Sequence, residues 1–76
     1  MKNVIITGTS SGIGLELVKT YSKNGYNVIS LSRSNLDEKS LKNVKHINFD
    51  ITNDESITNL ADTINKEYTS IDILIN

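Results

Sequence analysis

Residues 3–14 read NVIITGTSSGIG, and the passage from apolar run to glycine-rich turn decides the fold. Val4–Ile6 is short, apolar and β-branched throughout, as suits a strand covered on both faces. From Ile13 the apolar period changes: Ile13, Leu17, Val18 and Tyr21 recur at helical spacing. Between strand and helix lie Gly8, Gly12 and Gly14 with the small hydroxyl residues Thr9, Ser10 and Ser11. Such a linker buries almost nothing, and each glycine loses more backbone freedom on folding than any other residue. Its backbone must serve something other than core packing. A strand that turns through glycines into a helix brings unpaired N–H groups and a positive dipole end to one point, where an anion is stabilised. Gly8 permits the turn, Gly12 the close approach of anion oxygens, and Gly14 close packing of the helix on the sheet. Ser10 and Ser11 add hydroxyl donors.

The helix carries Lys19 and Lys23 toward its end and stops at Asn24-Gly25. NVISLS (27–32) reads as a second strand. Residues 33–44 are polar, with Leu36 and Leu41 as anchors, and read as a loop holding one short helix. KHINFD (45–50) alternates, placing Ile47, Phe49 and then Ile51 on one side of an edge or partly covered strand. Thr52 with Glu55 forms a capping box, and Asp54 adds negative charge to the helix start. Ile57, Leu60, Ala61, Ile64 and Tyr68 then make one amphipathic stripe. IDILIN (71–76) is a nearly unbroken apolar strand. The order β-α-β-(α)-β-α-β implies parallel strands joined by right-handed crossovers, half of a doubly wound α/β sheet of about four strands.

Length and composition narrow the possibilities. Seventy-six residues form at most one domain, here 1–76. With 37% apolar residues and no cysteine, the core is modest and neither disulfides nor thiolate metal sites support it. Eight basic and nine acidic residues give a net charge of −1, which argues against a nucleic-acid partner. No stretch is long and apolar enough for a leader or a membrane span, so the expected compartment is the cytoplasm.

No lysine followed by serine or threonine closes the glycine loop, so a P-loop is excluded. The spacing also differs from G-x-G-x-x-G. T-G-x-x-x-G-I-G, at Thr7–Gly14, resembles the short-chain dehydrogenase/reductase family in its ordinary, non-extended branch. The resemblance runs the length of the chain. It includes Ser32-Arg33 after the second strand, Asp50–Thr52 (DIT) after the third, and DILIN (72–76), which looks like the start of the family's D-x-L-V-N-N-A-G. It implies a Rossmann fold, a nicotinamide dinucleotide and an oxidoreductase that interconverts a carbonyl and an alcohol, with a homo-oligomeric parent. The implied cofactor-binding residues include Gly8, Ser10, Ser11, Gly12, Ile13 and Gly14. It further implies that the Asp50 carboxylate accepts from the adenine amino group, that the Ile51 backbone contacts the ring, and that Asn76 lies near the adenosine ribose. The bland reading of Asp50 is that it only shapes the entry to the capped helix.

In dinucleotide folds an acidic residue after the second strand binds the ribose 2′-hydroxyl, whereas arginine accommodates a 2′-phosphate. Ser32 and Arg33 stand there, with no acid before Asp37, and Arg33 is the one arginine beside seven lysines. NADP is therefore expected over NAD, the alternative being that Arg33 is only a solvated surface residue. The family's catalytic tyrosine is followed four residues later by lysine. Here Tyr21, Tyr26 and Tyr68 are followed at that spacing by Gly25, Ser30 and Asp72. Catalytic and metal-ligating residues are thus expected to be absent, and the chain alone inactive. Tyr21 and Tyr68 read as core-facing helix positions, Tyr26 as strand-start packing, and His46 as an exposed strand residue. Because Ile73–Ile75 has no following strand to pair its far edge, the chain reads as an amino-terminal fragment of a longer oxidoreductase. The rival reading is a non-catalytic nucleotide-binding module complete in itself, and a third is a relic that binds nothing.

Overall fold

The computed structural model describes residues 1–68 and 70–76. The elements run β1 (Asn3–Thr7), α1 (Gly12–Lys23), β2 (Asn27–Ser32), β3 (Val44–Asn48), α2 (Asp54–Glu67) and β4 (Ile73–Ile75). All strand pairings are parallel, in the order β3-β2-β1-β4. β1 and β2 lie inside the sheet, which explains why their residues are mostly apolar: Val4, Ile6, Val28 and Ile29 are fully buried.

Alternation along the strands divides the core in two. Val4, Ile6 and Val28 meet Val18, Leu17 and Tyr21 of α1, with Leu36 and Leu41 packed alongside. Ile5, Ile29 and Leu31 face the other way and meet Leu60, Ile64 and Tyr68 of α2, with Ile47 and Phe49. The two crossovers therefore cover opposite faces, as a doubly wound sheet requires. Tyr26 packs edge-on against Tyr21, with ring centroids 4.8 Å apart.

Several expectations shift. Residues 33–43 contain bends and turns but no helix. The polar run offers only Leu36 and Leu41 as anchors, too few to seat a helical stripe. The α2 cap is Asn53, not Thr52: Asn53 Oδ1 accepts from the Ser56 N–H at 3.1 Å. The Thr52 hydroxyl is instead donated to Asp50. Ile13 is 81% exposed and Ile51 71%. Ile13 stands in the first turn of α1, before the helix has crossed onto the sheet. Ile51 lies beyond the end of β3, where the alternation no longer holds. Of the α2 stripe, Ile57 and Ala61 remain exposed because no described residue forms a layer over them. Among the described residues β4 pairs with β1 alone, and its Leu74 is exposed.

Candidate functional site

All four strands point their carboxyl ends to one edge of the sheet, and the segments leaving them converge there. In open α/β sheets this edge, at the switch point where strand order reverses, is where ligands bind. Here the switch falls between β1 and β4. A cavity of about 620 Å³ opens over it. Its walls are Thr7, Gly8 and Ser10 after β1, Leu31–Ser34 at the end of β2, Phe49–Thr52 after β3, and Asn76 after β4. Of the residues singled out from sequence, Gly8, Ser10, Ser32, Arg33, Asp50, Ile51 and Asn76 are brought together in this wall. Ser11, Gly12, Ile13 and Gly14 stand just outside it, at the start of α1.

The glycine loop is shaped by its backbone. Gly8 and Gly12 have φ of +66° and +61°, and a Cβ built on either would meet nothing within 4 Å. Bare main chain therefore faces open space at both positions. A Cβ on Gly14 would stand 2.0 Å from the Gly8 carbonyl oxygen and 3.2 Å from Thr9 Cα. The close approach expected at Gly14 is real, but its partner is the loop rather than the sheet. Ser11, the N-cap of α1, makes no side-chain cap, and the first turn contains no acidic residue. The first N–H groups and the positive end of the dipole are thus left for an external acceptor. Thr7 Oγ1 lies 3.3 Å from Asn76 Oδ1, tying the exit of β1 to that of β4.

On the far side of the cavity Arg33 is exposed and, among the described residues, enters no ion pair. Ser32 turns its hydroxyl to the Ser34 carbonyl at 2.7 Å, fixing the bend that carries Arg33. Asp50 Oδ1 accepts from the Thr52 hydroxyl at 2.7 Å and the Thr52 N–H at 2.9 Å. These two bonds, with the positive charge of Arg33, hold the Asp50 carboxyl below its ordinary value. Asp50 Oδ2 is left without a partner among the described residues. Asp50 thus shapes the turn into α2 and still presents one free oxygen.

Sequence reasoning missed a polar line beneath the loop. Thr9 and Ser30 are both fully buried, with Ser30 Oγ 2.6 Å from Thr9 Oγ1. His46 is half-buried rather than exposed, because its strand neighbour Ser30 offers a hydroxyl 2.9 Å from Nδ1 and the Ser34 carbonyl lies 2.9 Å from Nε2. The available signal was Ser30 itself, a polar residue at an inward position of the central strand β2.

The family profile described as short chain dehydrogenase matches residues 2–76. The chain belongs to the short-chain dehydrogenase family. An uncharacterised oxidoreductase of Staphylococcus saprophyticus is 38% identical over 82 residues, covering 99% of this chain and 33% of that protein. The structure of a short chain dehydrogenase from Leptospira borgpetersenii with bound NAD+ superposes with a TM-score of 0.84 at 35% identity, over 99% of this chain and 30% of that one. A 4-hydroxyisoleucine dehydrogenase complexed with NADH and succinate superposes with a TM-score of 0.79 at 36% identity, over 96% and 33%. This short-chain dehydrogenase chain spans about a third of the length of the curated relatives it matches.

Proposed function

We propose that this chain is the NADP(H)-binding part of an oxidoreductase that interconverts a carbonyl and an alcohol. The observation that carries this is one wall of the cavity: Arg33 stands free where an acid would select NAD, opposite a glycine loop with an uncapped helix start. The donor chemistry fits a dinucleotide at each end. Bare backbone at Gly8 and Gly12, the N–H groups of Ile13 and Gly14, and the hydroxyls of Ser10 and Ser11 suit a pyrophosphate. Ser32 and Arg33 suit a 2′-phosphate, Arg33 through its planar fork. Asp50 Oδ2 is free to accept from the adenine amino group, the Ile51 main chain borders the same wall, and Asn76 lies toward the ribose. Membership of the family and neighbours that carry NAD+ or NADH support a nicotinamide cofactor; the preference for NADP rests on Arg33.

When bound, a reduced nicotinamide supplies the hydride. The residues of this chain hold and orient it. None of the three tyrosines is followed by lysine four residues on, so proton transfer to the substrate is assigned to residues beyond this chain, and the chain alone is expected to be inactive. The test is titration of NADPH and NADH into the protein expressed from its complete gene. NADPH is expected to bind about ten- to a hundredfold more tightly, the worth of a charge-assisted hydrogen bond of about 1.5–3 kcal/mol. Arg33→Ala should bring the two affinities together. A ratio that Arg33→Ala leaves unchanged would refute the NADP preference.

A further inference from the structure

Arg33 begins a segment with no regular structure of its own. Residues 33–43 hold bends and turns but neither helix nor strand. A free segment of this kind samples many backbone states, and a ligand that has to order it loses affinity by that cost. A guanidinium that grips a phosphate through two parallel N–H bonds works best when its main chain is already in place.

Two ties act on the residues that leave β2. The Ser32 hydroxyl donates to the Ser34 carbonyl oxygen at 2.7 Å, a local bond two residues long. The other tie crosses 13 residues of chain: Asn48 Nδ2 donates to Asn35 Oδ1 at 2.7 Å. Asn48 ends β3 and stands opposite Ser32, the end of β2, in the strand register. The residues that follow it, Phe49–Thr52, form one wall of the cavity, and Ser32, Arg33 and Ser34 form another. At their base these walls are joined by the Phe49 N–H, which donates to the Ser32 carbonyl oxygen at 2.8 Å. The Asn48–Asn35 pair joins them again on the other side of Arg33. Arg33 is thus bracketed, with the residue before it and the second residue after it both held to the exit of β3. Neither Asn35 nor Asn48 lines the cavity itself.

We propose that Asn48 is a positioning residue for nucleotide choice: through Asn35 it holds the Arg33 bend in place against the Asp50 wall, so that Arg33 meets the 2′-phosphate of NADP(H) already ordered. This rests on the NADP(H) reading and adds to it a determinant that lies outside the cavity wall. NADH has no 2′-phosphate and gains nothing from an ordered Arg33.

The test compares NADPH with NADH on the protein expressed from its complete gene, as wild type, Asn48→Ala, Asn35→Ala and the double variant. The preference for NADPH should fall about two- to fivefold in each single variant. That is the lower part of what one hydrogen bond is worth, because both amides are exposed to competing water. The double variant should lose no more than either single one, since the second change removes a partner whose bond is already broken. An unchanged preference in Asn48→Ala, or losses that multiply in the double variant, overturns the positioning role. An equal loss for both nucleotides, the mark of a purely structural pair, overturns it too. Should Asn48→Ala fail to fold, Asn35→Ala, on the irregular segment, carries the same expectation. Failure of the NADP(H) reading is told apart by the wild type. If it holds NADPH no tighter than NADH and Arg33→Ala changes nothing, that reading and the positioning role fall together. A strong wild-type preference that survives Asn48→Ala overturns the positioning role alone.

Discussion

Helix α2 begins with Asn53 accepting from the Ser56 N–H at 3.1 Å, and Asp54 and Glu55 place negative charge in its first turn. Helix α1 begins with Ser11, whose side chain caps nothing, and its first turn holds no acid. The difference in packing runs the other way. α1 buries Val18 and Ser22 completely or nearly so, whereas α2 buries no residue. A weakly packed helix is thus held by its own start, and a well packed one can leave its start open. In α1 the open start lies beside a cavity, over glycines whose missing side chains leave the main chain bare. That pairing of a strong body with an unsatisfied end is what a site for an anion requires.

The sharpest way to break the contrast is to close the gap under α1. Gly14→Ala puts a methyl group 2.0 Å from the Gly8 carbonyl oxygen, so loop and helix must part. A loss of about 3 kcal/mol in unfolding free energy is expected, the upper end of what overpacking costs, together with loss of dinucleotide binding. Wild-type stability by denaturant titration would contradict the close contact.

Ser11→Asp makes α1 start as α2 does. A carboxylate at the N-cap should stabilise the helix by about 0.5–1 kcal/mol through capping and the dipole. Occupying the same N–H groups, it should weaken dinucleotide binding about tenfold or more. Stability and affinity moving in the same direction would argue that the two do not share donors. The converse change, Asn53→Ala, removes the α2 cap. It should cost about 1 kcal/mol in thermal or denaturant unfolding and leave dinucleotide affinity alone.

The smallest effect concerns the turn before α2. Thr52 holds the Asp50 carboxyl below its ordinary value. That contribution to stability is complete above the unfolded carboxylate's titration and is lost as pH falls through the depressed folded value. Thr52→Val removes the hydroxyl and should move the Asp50 titration upward, read by NMR of the side-chain carboxyl. An unmoved titration would show that the main-chain N–H alone sets it.

Most of the scaffold was legible because its signals are local. Asn27–Ser32 is bounded in the structure as in the sequence, since its apolar run ends at polar residues on both sides. Asn24-Gly25 stops α1, with Gly25 at φ +83°. The convergence of Gly8, Ser10, Ser32, Arg33, Asp50, Ile51 and Asn76 on one cavity also follows from chain order, because parallel strands place every carboxyl end at the same edge. What escaped was non-local or competitive. Thr52 and Asn53 are both good caps, and Asp50 decided between them by taking the Thr52 hydroxyl. His46 looks exposed in an alternating strand until register sets it beside Ser30, a pairing that no window of sequence contains. Ile13 satisfies the helical period but sits too early in α1 to reach the sheet.

The central claim is that the open start of α1 seats the bridging phosphates of a dinucleotide. Its most direct measurement is amide NMR of the protein expressed from its complete gene, titrated with NADPH. The expected result is that the N–H resonances of Gly12, Ile13 and Gly14 shift most strongly while those of Ser56 and its neighbours at the start of α2 stay in place. Saturating NADPH that leaves the Gly12–Gly14 amides unmoved would contradict it.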